Sequence, residues 1–316
     1  MTFFIGTDEA GYGPNLGPLT ITATAWQFPS GTTAAQCWDL LSDSVSQSVS
    51  EQPDCLQIAD SKQVYSSGRS IESLEKTVLT LLKQLGSSPA RFRDCGAAVC
   101  DDRFSAGLKT DVCCSAGAVS LPVAAADHGL ADCRRRFQET LKTADVQLVA
   151  VHSRVVFPAE FNQLVDASGS KGVVLSRETL KLVADIVRQH QPAAADVICD
   201  KHGGRNRYDE LLSEAFDDQM VFRLEEGRPL SRYRMNEIKF RFQTKAEEHL
   251  PVAAASMVSK YLREIAMLEF NAYWASLLPD LKPTMGYPVD ATRFMEQIEP
   301  LLEANSIDRD SLWRRR

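Results

Sequence analysis

The alternation of apolar and polar positions predicts strands that are separated by loops rich in glycine and proline. Residues 3–8 are mostly aromatic and β-branched and run into a dense series of glycines and prolines at 11–18, which indicates a strand that ends in a tight loop. Residues 19–26 alternate with a period of two, as a returning strand does. Further strands are predicted at 146–151, at 195–199 and, with the alternation of an edge strand, at 238–242.

Apolar residues at helical spacing predict helices between these strands. The periodic segments are 33–49, 70–86, 176–190 and 291–304. Pro251 opens a longer helix that we expect to reach Leu278, since a proline in a first helical turn has no N–H partner to lose. Strands that alternate with helices predict a mixed α/β domain, and residues 87–145 are its least periodic part.

The composition is that of a globular protein with a core of ordinary size. Of the 316 residues, 44% are hydrophobic and 24% are charged, which is typical of this class. No apolar run approaches the ~20 residues that cross a bilayer. The first residues lack the basic start and long apolar middle of a signal peptide. We therefore expect a cytoplasmic protein without a membrane segment.

The net charge of −7 is unusual for a protein that binds nucleic acid. Basic residues that gather on one face can outweigh such a balance, and a cation-binding carboxylate cluster adds negative charge of its own. Five of the eight cysteines lie between 95 and 133, but their spacings match no pair of Cys-x-x-Cys knuckles. Buried or incidental thiols are therefore favoured over a zinc site.

Two adjacent carboxylates near the end of the first strand are the strongest local sign of chemistry. Neighbouring strand residues point to opposite faces, so Asp8 and Glu9 can serve one site only where the strand ends and turns. Glycines at 11, 13 and 17 supply such a turn and leave room for close approach of a backbone. The alternative is a solvated acidic loop, and the frame of glycine and proline favours a functional site.

Further carboxylates end a second strand and lie on the long helix. Asp200 ends a short apolar strand and precedes a basic loop at 201–207, where the alternative role is an Asx turn. Ser256, Lys260 and Glu264 recur every four residues and share one helix face, where the alternative is a surface ion pair. Four converging carboxylates repel one another unless cations lie between them, and ligands that are all oxygen favour Mg²⁺ or Mn²⁺ over zinc.

The glycine-rich opening and three later motifs resemble those of the type 2 ribonucleases H, that is, ribonuclease HII and its relatives. The opening match is Gly6-Thr7-Asp8-Glu9-Ala10-Gly11-Tyr12-Gly13-Pro14 with Gly17-Pro18. The later matches are Asp60-Ser61-Lys62 for a phosphate-contacting Asp-Ser-Lys, Lys245-Ala246 with Pro251 to Ser256, Ser259-Lys260 and Arg263-Glu264 for a Lys-Ala-Asp…Ala-Ala-Ser…Lys…Arg-Asp block, and Gly286-Tyr287-Pro288 for the motif whose tyrosine lies under the ribose. Together they cover most of the chain outside 87–145.

This resemblance implies a fold and a reaction. The fold is a ribonuclease H-like mixed β-sheet flanked by helices, with a C-terminal helical extension and a middle insertion. Asp8, Glu9, Asp200 and Glu264 would hold two divalent cations, Mg²⁺ or Mn²⁺. The reaction would hydrolyse the RNA strand or an embedded ribonucleotide of an RNA–DNA hybrid or ribonucleotide-containing DNA duplex, leaving 5′-phosphomonoesters.

The resemblance also implies how the substrate is bound. Backbone groups at 11–13 and Tyr287 would sense the 2′-OH, and Lys62 and Lys260 would position phosphates without reading bases. The full implied set of substrate-binding residues is Gly11, Tyr12, Gly13, Ser61, Lys62, Ser256, Lys260 and Tyr287. No protein partner is readable from the sequence.

Two positions depart from the family's pattern. Tyr12 replaces the arginine of its Gly-Arg-Gly, and Glu264 stands where the fourth metal ligand is usually aspartate, although the sister type 3 enzymes are known for glutamate in that role. These departures leave two alternatives open. One is a relative that binds hybrid duplexes without cleaving them, and the other is a nuclease or phosphatase with a different substrate on the same carboxylate site.

The positions of the motifs divide the chain into three parts. Residues 1–86 and 146–280 are predicted to form the catalytic core, and 281–316 a helical segment that closes the substrate cleft. Residues 87–145 are predicted to form an insertion of unknown role, peripheral and dispensable for the chemistry.

Overall fold

Seven strands form one mixed sheet at the centre of the computed structural model, which describes residues 1–48, 54–65 and 70–315. The strands of the described residues are β1 (Thr2–Ala10), β2 (Leu19–Phe28), β3 (Val45–Ser46), β4 (Leu56–Gln57), β5 (Gln147–Val156), β6 (Ala195–Asp200), β7 (Phe222–Glu226), β8 (Leu230–Met235) and β9 (Ile238–Gln243). The helices are α1 (Gln36–Leu41), α2 (Ser61–Val64), α3 (Glu72–Gln84), α4 (Phe92–Val99), α5 (Asp102–Thr110), α6 (Asp127–Thr143), α7 (Pro158–Ser168), α8 (Lys171–His190), α9 (Asp209–Ala215), α10 (Leu250–Leu277) and α11 (Pro288–Ala304), with 3-10 turns at Ala246–Glu248 and Arg309–Ser311.

The order of the strands brings two carboxylates to one edge of the sheet. The order is β5-β2-β1-β6-β9-β8-β7, and β3 and β4 form a separate small pair. β1 and β6 run parallel with Thr7 beside Cys199, so Asp8 and Asp200 follow at the same level of neighbouring strands. β6 and β9 are also parallel, whereas the other neighbours in the sheet are antiparallel. The carboxyl ends of β1, β6 and β9 therefore meet at one edge.

The long helix α10 lies directly on β1 and β2. A Cβ added to Gly6 would stand 2.2 Å from the Pro251 carbonyl carbon, so only glycine lets the start of α10 approach β1 this closely. Threonine hydroxyls of β2 donate to carbonyl groups of α10, from Thr24 to Pro251 and from Thr20 to Ser259, both at 2.7 Å. The first turns of the helix are therefore fixed against the strand that carries Asp8.

Apolar side chains pack on both faces of the sheet. One face, with Phe4 and Trp26, packs against α10 and the helices α3 to α6. The opposite face, with Ile5 and Phe240, packs against α8 and α9. A third cluster joins α11 to the end of α10 and to the loop after β1. The prediction of a mixed α/β sheet flanked by helices is confirmed.

Two sequence expectations about single elements are wrong. Residues 238–242 do form a strand, but β9 lies inside the sheet between β6 and β8, because the hairpin of β7 and β8 adds beyond it. The helix expected over 33–49 covers only Gln36–Leu41, and the chain then forms the short strand β3. Residue 49 lies outside the described residues.

The middle segment belongs to the main core. Its helices α4, α5 and α6 place Phe92, Phe104 and Phe137 at 1%, 2% and 0% exposure within the cluster that includes Phe4 and Trp26. The segment is therefore not peripheral, because α6 buries its apolar face against α3, α4 against α10 and β5, and α5 against β5. That it is dispensable for the chemistry stays a prediction. No helix within the described ranges is both long and apolar enough to cross a membrane.

Candidate metal centre

Three carboxylates from separate elements converge at the edge where β1, β6 and β9 end. Oxygen atoms of Asp8, Asp200 and Glu247 all lie within 4.8 Å of one another. Within 1–48, 54–65 and 70–315 this is the only group of three or more His, Cys, Asp or Glu side chains close enough to hold a metal ion, so the cysteines do not form one. All three donors offer oxygen, as Mg²⁺ and Mn²⁺ prefer.

A left-handed residue presents Glu247 to the other two carboxylates. Lys245 has φ 60°, a conformation that is uncommon outside glycine and that recurs at functional sites. It turns the chain from β9 into the 3-10 turn Ala246–Glu248. The backbone N–H of Ala246 points at Asp200 Oδ1 at 3.4 Å, so the same turn both contacts Asp200 and delivers Glu247.

Serines of α10 and α2 hold Asp8 in place. The Ser256 hydroxyl donates to Ser61 Oγ at 2.9 Å, and Ser256 lies close enough to the Asp8 carboxyl to lower its pKa. The Ser259 hydroxyl donates to the Asp8 carbonyl at 3.0 Å. Ser61 and Ser256, expected to bind substrate, are buried and contact each other. Their position supports a role in orienting Asp8.

Burial and mutual repulsion raise the pKa values of the carboxyl groups at this edge. Burial, and then the charge of Glu9, raise the pKa of Asp8 well above its usual range. Burial and the charge of Asp200 raise the pKa of Glu9 to about 7. Burial also raises the pKa values of Asp200 and Glu247, partly offset by backbone N–H donors. Ionised together at neutral pH, these groups need a cation between them.

Glu9 lies next to this group. Its charge is the largest electrostatic influence on Asp8, and Asp200 is the largest on Glu9. The two adjacent carboxylates therefore act on one site although β1 continues past both of them to Ala10. The structure brings together three of the four carboxylates that the sequence suggested.

Glu264, the fourth, lies in a different environment. Its Oε1 is 2.6 Å from Lys260 Nζ, one turn earlier on α10. The Lys260 ammonium in turn lies 5.2 Å from the centre of the Tyr65 ring. Neither side chain belongs to the three-carboxylate group, and their expected roles in metal and phosphate binding stay predictions.

Glu247 is the residue that sequence reasoning missed. It occupies the place of aspartate in the Lys-Ala-Asp motif that Lys245-Ala246 resembles, so a signal was present. The sequence predicted Glu264 as the fourth ligand instead, because the Arg263-Glu264 pair matches a second motif on α10. In space, Glu247 is the residue that completes the group with Asp8 and Asp200.

Lys62 supplies positive charge beside the carboxylates. Although burial opposes it, the charges of Asp60 and Asp8 raise the pKa of Lys62. Asp60 caps α2 by accepting from the Lys62 backbone N–H at 3.0 Å. The expected phosphate-contacting lysine therefore stands at the edge of the site with its ammonium charged.

The loop after β1 is held by two buried arginines. Arg263 donates to the carbonyl groups of Pro18 at 2.6 Å and Leu16 at 3.2 Å. Arg314 donates to those of Gly11 and Pro14. Gly11 has φ 87°, and a Cβ there would meet Pro18 O at 2.7 Å, so this glycine is required by the turn itself. Arg314 thus supports the loop that follows Asp8 and Glu9.

Gly13 and Tyr287 are accessible beside that loop. Gly13 has open space where a Cβ would stand, and Tyr287 is 56% exposed. The carbonyl of Gly286 accepts from the Asn15 backbone N–H at 2.7 Å, which fixes the position of Tyr287 relative to the loop. The alternative that Tyr287 is a core residue is excluded by its exposure.

Tyr12 lies in a cleft with a basic lining. The Lys171 ammonium is 4.6 Å from the centre of the Tyr12 ring. A Cβ on Gly203 would stand 3.0 Å from the Tyr12 hydroxyl. Arg205 and Arg207 also line this cleft of about 640 Å³, which has no carboxylate in its lining. The position that holds arginine in the family is thus occupied by a tyrosine that other cations surround.

A mixed α/β fold with an all-oxygen group of carboxylates at its strand ends defines a candidate metal-dependent enzyme. No protein-family model and no curated protein matches the sequence. Solved structures that are similar include ribonuclease HII in its complex with PCNA from Archaeoglobus fulgidus, at 16% identity over 99% of this chain and 94% of that one, with a TM-score of 0.43. Ribonuclease H2 from Pyrococcus horikoshii OT3 is similar at 14% identity over 98% and 92% of the two chains, with a TM-score of 0.42.

A ribonuclease HIII is also a structural neighbour. Bst-RNase HIII in complex with Mn²⁺ is similar at 15% identity and a TM-score of 0.44, over 99% of this chain and 66% of that one. The neighbours thus bear the names of the two enzyme types that the sequence motifs resemble, at low identity and low TM-score.

Proposed function

We propose that this chain is a divalent-cation-dependent nuclease that hydrolyses the RNA strand, or an embedded ribonucleotide, of RNA–DNA hybrid duplexes. The observation that carries the proposal is the convergence of Asp8, Asp200 and Glu247 within 4.8 Å at the position of the ribonuclease H2-like motifs. The proposal does not depend on the similarity to the solved structures.

The donor set fits a hard divalent cation. Three side chains offer only carboxylate oxygens, and burial raises the pKa of each, so that a cation is the group that stabilises them in the ionised form. Asp8, Asp200 and Glu247, with Glu9 beside them, would hold Mg²⁺ or Mn²⁺. When bound, such an ion supplies Lewis-acid polarisation of a phosphoryl oxygen.

The surrounding side chains have the roles that the resemblance implies. Lys62, close to Asp8, would contact a phosphate of the cleaved strand. Tyr287, exposed and held beside the loop, would pack against the ribose and sense its 2′-OH. Ser256 orients Asp8. Sequence preference should be low because none of these groups reads a base edge.

The basic cleft around Tyr12 supports a nucleic acid as the substrate. Lys171, Arg205 and Arg207 line this cleft in a protein whose net charge is −7, and burial and the charge of Glu9 raise the pKa of Tyr12 within it. These cations would attract the phosphate backbone of a nucleic acid that enters the cleft. A C-terminal segment that closes the substrate cleft, and a cytoplasmic location, remain parts of the same proposal.

Cleavage of a defined duplex tests the proposal. A labelled DNA duplex with one ribonucleotide and the same duplex in all-DNA form are incubated with Mg²⁺, Mn²⁺ or EDTA. We expect cleavage at the ribonucleotide with either metal, none with EDTA and none of the all-DNA duplex. Absence of cleavage together with retained binding would support the non-cleaving relative, and cleavage of both duplexes would support a DNA-directed nuclease.

Matched variants decide between the two candidate fourth ligands. Glu247→Gln and Glu264→Gln each remove one carboxylate charge and keep the side-chain size. We expect Glu247→Gln to lower cleavage by about 10²-fold or more, since loss of a metal ligand costs several kcal/mol of transition-state stabilisation. Glu264→Gln should have a smaller effect because Glu264 is paired with Lys260. The opposite order would restore the original assignment of Glu264.

A further inference from the structure

Beyond the metal centre, the sheet continues as an open surface with four cations. Arg232 and Arg234 lie on β8, and Lys239 and Arg241 lie on β9, all of them exposed. We call these four residues the basic sheet face. The intervening residues Tyr233 and Phe240 are buried on the opposite side of the sheet, as alternation requires.

Register places these cations directly opposite one another. Arg232 pairs with Arg241 and Arg234 with Lys239 across the antiparallel strands β8 and β9. Like charges at directly opposite positions destabilise a sheet. One ion pair relieves this, from Arg232 Nε to Glu225 Oε2 at 2.9 Å. Among the described residues the other three cations have no ion-pair partner.

The basic sheet face lies on the same side of the sheet as the metal centre. In the parallel register of β6 and β9, Gln243 is level with Asp200 and Arg241 is level with Ile198. Arg241 is therefore two residues, or about 7 Å, along the strand from the level of Asp200. Helix α10 covers this side over β1 and β2 and leaves it open over β8 and β9.

Exposed apolar side chains border the cations. Phe222 and Leu224 of β7 are 44% and 55% exposed. The Arg234 guanidinium lies 5.1 Å from the centre of the Phe222 ring, which orients it without neutralising it. A groove of about 350 Å³ runs between Leu224, the sheet and residues 32–34. Its lining includes one carboxylate, the half-buried Asp196 of β6, which is level with Lys239. The surface thus combines oriented cations with a shallow concavity.

We propose that the basic sheet face binds the sugar-phosphate backbone of a nucleic-acid duplex whose reactive nucleotide lies at the metal centre. This inference rests on the proposed function. Phosphates stand close together along a duplex and would relieve the repulsion that the opposed cations create. Solubility alone would not explain the opposed positions, since positive charges placed without repulsion would keep the protein equally soluble. The contact reads phosphate and carries no sequence information.

Binding measured without metal tests this surface separately from catalysis. The probe is a fluorescent DNA duplex of about 20 base pairs that carries one ribonucleotide, titrated in EDTA at several KCl concentrations. The variant is Lys239→Gln/Arg241→Gln. The matched control is Arg177→Gln/Lys181→Gln, which removes two exposed cations from α8 on the opposite side of the sheet.

The salt dependence gives the expected magnitude. Each lost phosphate contact lowers the slope of log K against log salt by about 0.9, so the variant should lose up to ~1.8 of slope and about tenfold in affinity at low salt. The control should match the wild type in both. Wild-type affinity and slope in the variant would overturn the proposal, whatever the protein cleaves.

Two further measurements keep the result interpretable. The melting temperature of the variant should stay unchanged or rise, because one cation of each opposed pair is removed. If it falls, Arg234→Gln provides a second variant of the same surface, and normal duplex binding by a folded Arg234→Gln would count against the proposal. A poly-glutamate peptide serves as competitor. If the variant loses binding of the peptide but keeps binding of the duplex, the surface binds an acidic protein and the proposal of a duplex is overturned.

The same design separates this inference from the proposed function. If the wild type cleaves no duplex under any metal but the variant still loses duplex binding, the surface stands and the catalytic proposal fails. If the wild type cleaves the duplex and the variant binds it normally, the catalytic proposal stands and the basic sheet face is not the binding surface. In an active enzyme, the variant should raise KM and leave kcat unchanged, since the contact is made equally in ground and transition states.

Discussion

Two groups of carboxylates in this protein have opposite surroundings. At the metal centre, Asp8, Asp200 and Glu247 face one another with few donors. In the core below α10, Glu75 and Glu269 are fully buried and surrounded by donors. Glu75 accepts from the backbone N–H groups of residues 123, 124 and 125 at 2.7, 2.7 and 2.8 Å and from the Tyr261 hydroxyl at 2.8 Å.

Glu269 binds the backbone just before residues 123–125 in the same way. It accepts from the backbone N–H groups of Ala118 at 2.7 Å and Val119 at 3.2 Å. The two glutamates thus tie residues 118–125 of the middle segment to α3 and α10. Both accept from backbone N–H groups that have no other acceptor among these contacts.

The difference between these groups separates structure from function. A buried carboxylate whose lone pairs are occupied by N–H and O–H donors stabilises the fold as it stands. Buried carboxylates that mainly face each other raise one another's pKa and need a ligand from outside. Carboxylates therefore form a structural tie at Glu75 and a candidate cation site at Asp8.

The largest expected effect breaks the metal centre without breaking the fold. Asp8→Asn or Asp200→Asn should lower cleavage by about 10³-fold or more, because a metal ligand is lost. In EDTA the melting temperature should stay the same or rise, because repulsion is relieved. Cleavage and melting curves are measured together, with the exposed Asp280→Asn as control. Wild-type turnover in both variants would remove these residues from the site.

A variant of Glu75 removes the hydrogen bonds of the structural carboxylate. Glu75→Ala should lower the free energy of unfolding by about 3–5 kcal/mol, because it leaves three backbone N–H groups and the buried Tyr261 hydroxyl without their acceptor. Denaturant titration measures this, with Glu72→Ala as the control on the same helix. Glu72 is an exposed partner of Lys76, so its loss should cost under about 1 kcal/mol. Activity per folded Glu75→Ala molecule should equal that of the wild type, and a selective loss of activity would contradict the comparison.

A third variant probes the substrate side of the metal centre. Tyr287→Ala should lower kcat/KM on a ribonucleotide-containing duplex by about 10- to 100-fold and change the free energy of unfolding by less than about 1 kcal/mol. The ring is 56% exposed, so little packing is lost. Tyr287→Phe separates the ring from the hydroxyl. A large loss of stability with unchanged activity per folded molecule would exclude Tyr287 from the site.

The smallest expected effect is a pH dependence of the metal-free protein. The folded pKa of Glu9, about 7, lies above its ordinary value of 4.5, so its stabilising contribution is complete below pH 4.5 and is lost as pH rises through 7. Between pH 5 and 8 in EDTA, the wild type should lose on the order of 1 kcal/mol relative to Glu9→Gln. Added Mg²⁺ should remove the difference. Parallel melting profiles of the two proteins without metal would count against the raised pKa.

Local patterns along the chain suffice to predict the elements that local chemistry specifies. Alternation and the glycine-proline loop predicted β1 and β2, and Pro251 predicted the start of α10 within one residue. Asp8, Glu9 and Asp200 were recognisable because each stands near the end of a strand next to turn-forming residues. These signals act over a few residues, so they can be read along the chain.

Which distant residues meet depends on how the segments pack in three dimensions. Glu247 joins Asp8 because β9 runs parallel to β6 and a left-handed Lys245 turns the chain there, whereas Glu264 pairs with Lys260 one turn away on its own helix. The middle segment is part of the core because Glu75 and Glu269, distant in sequence, bind its backbone. Burial and the distance between charges depend on packing between segments far apart in the chain, and no local pattern encodes them.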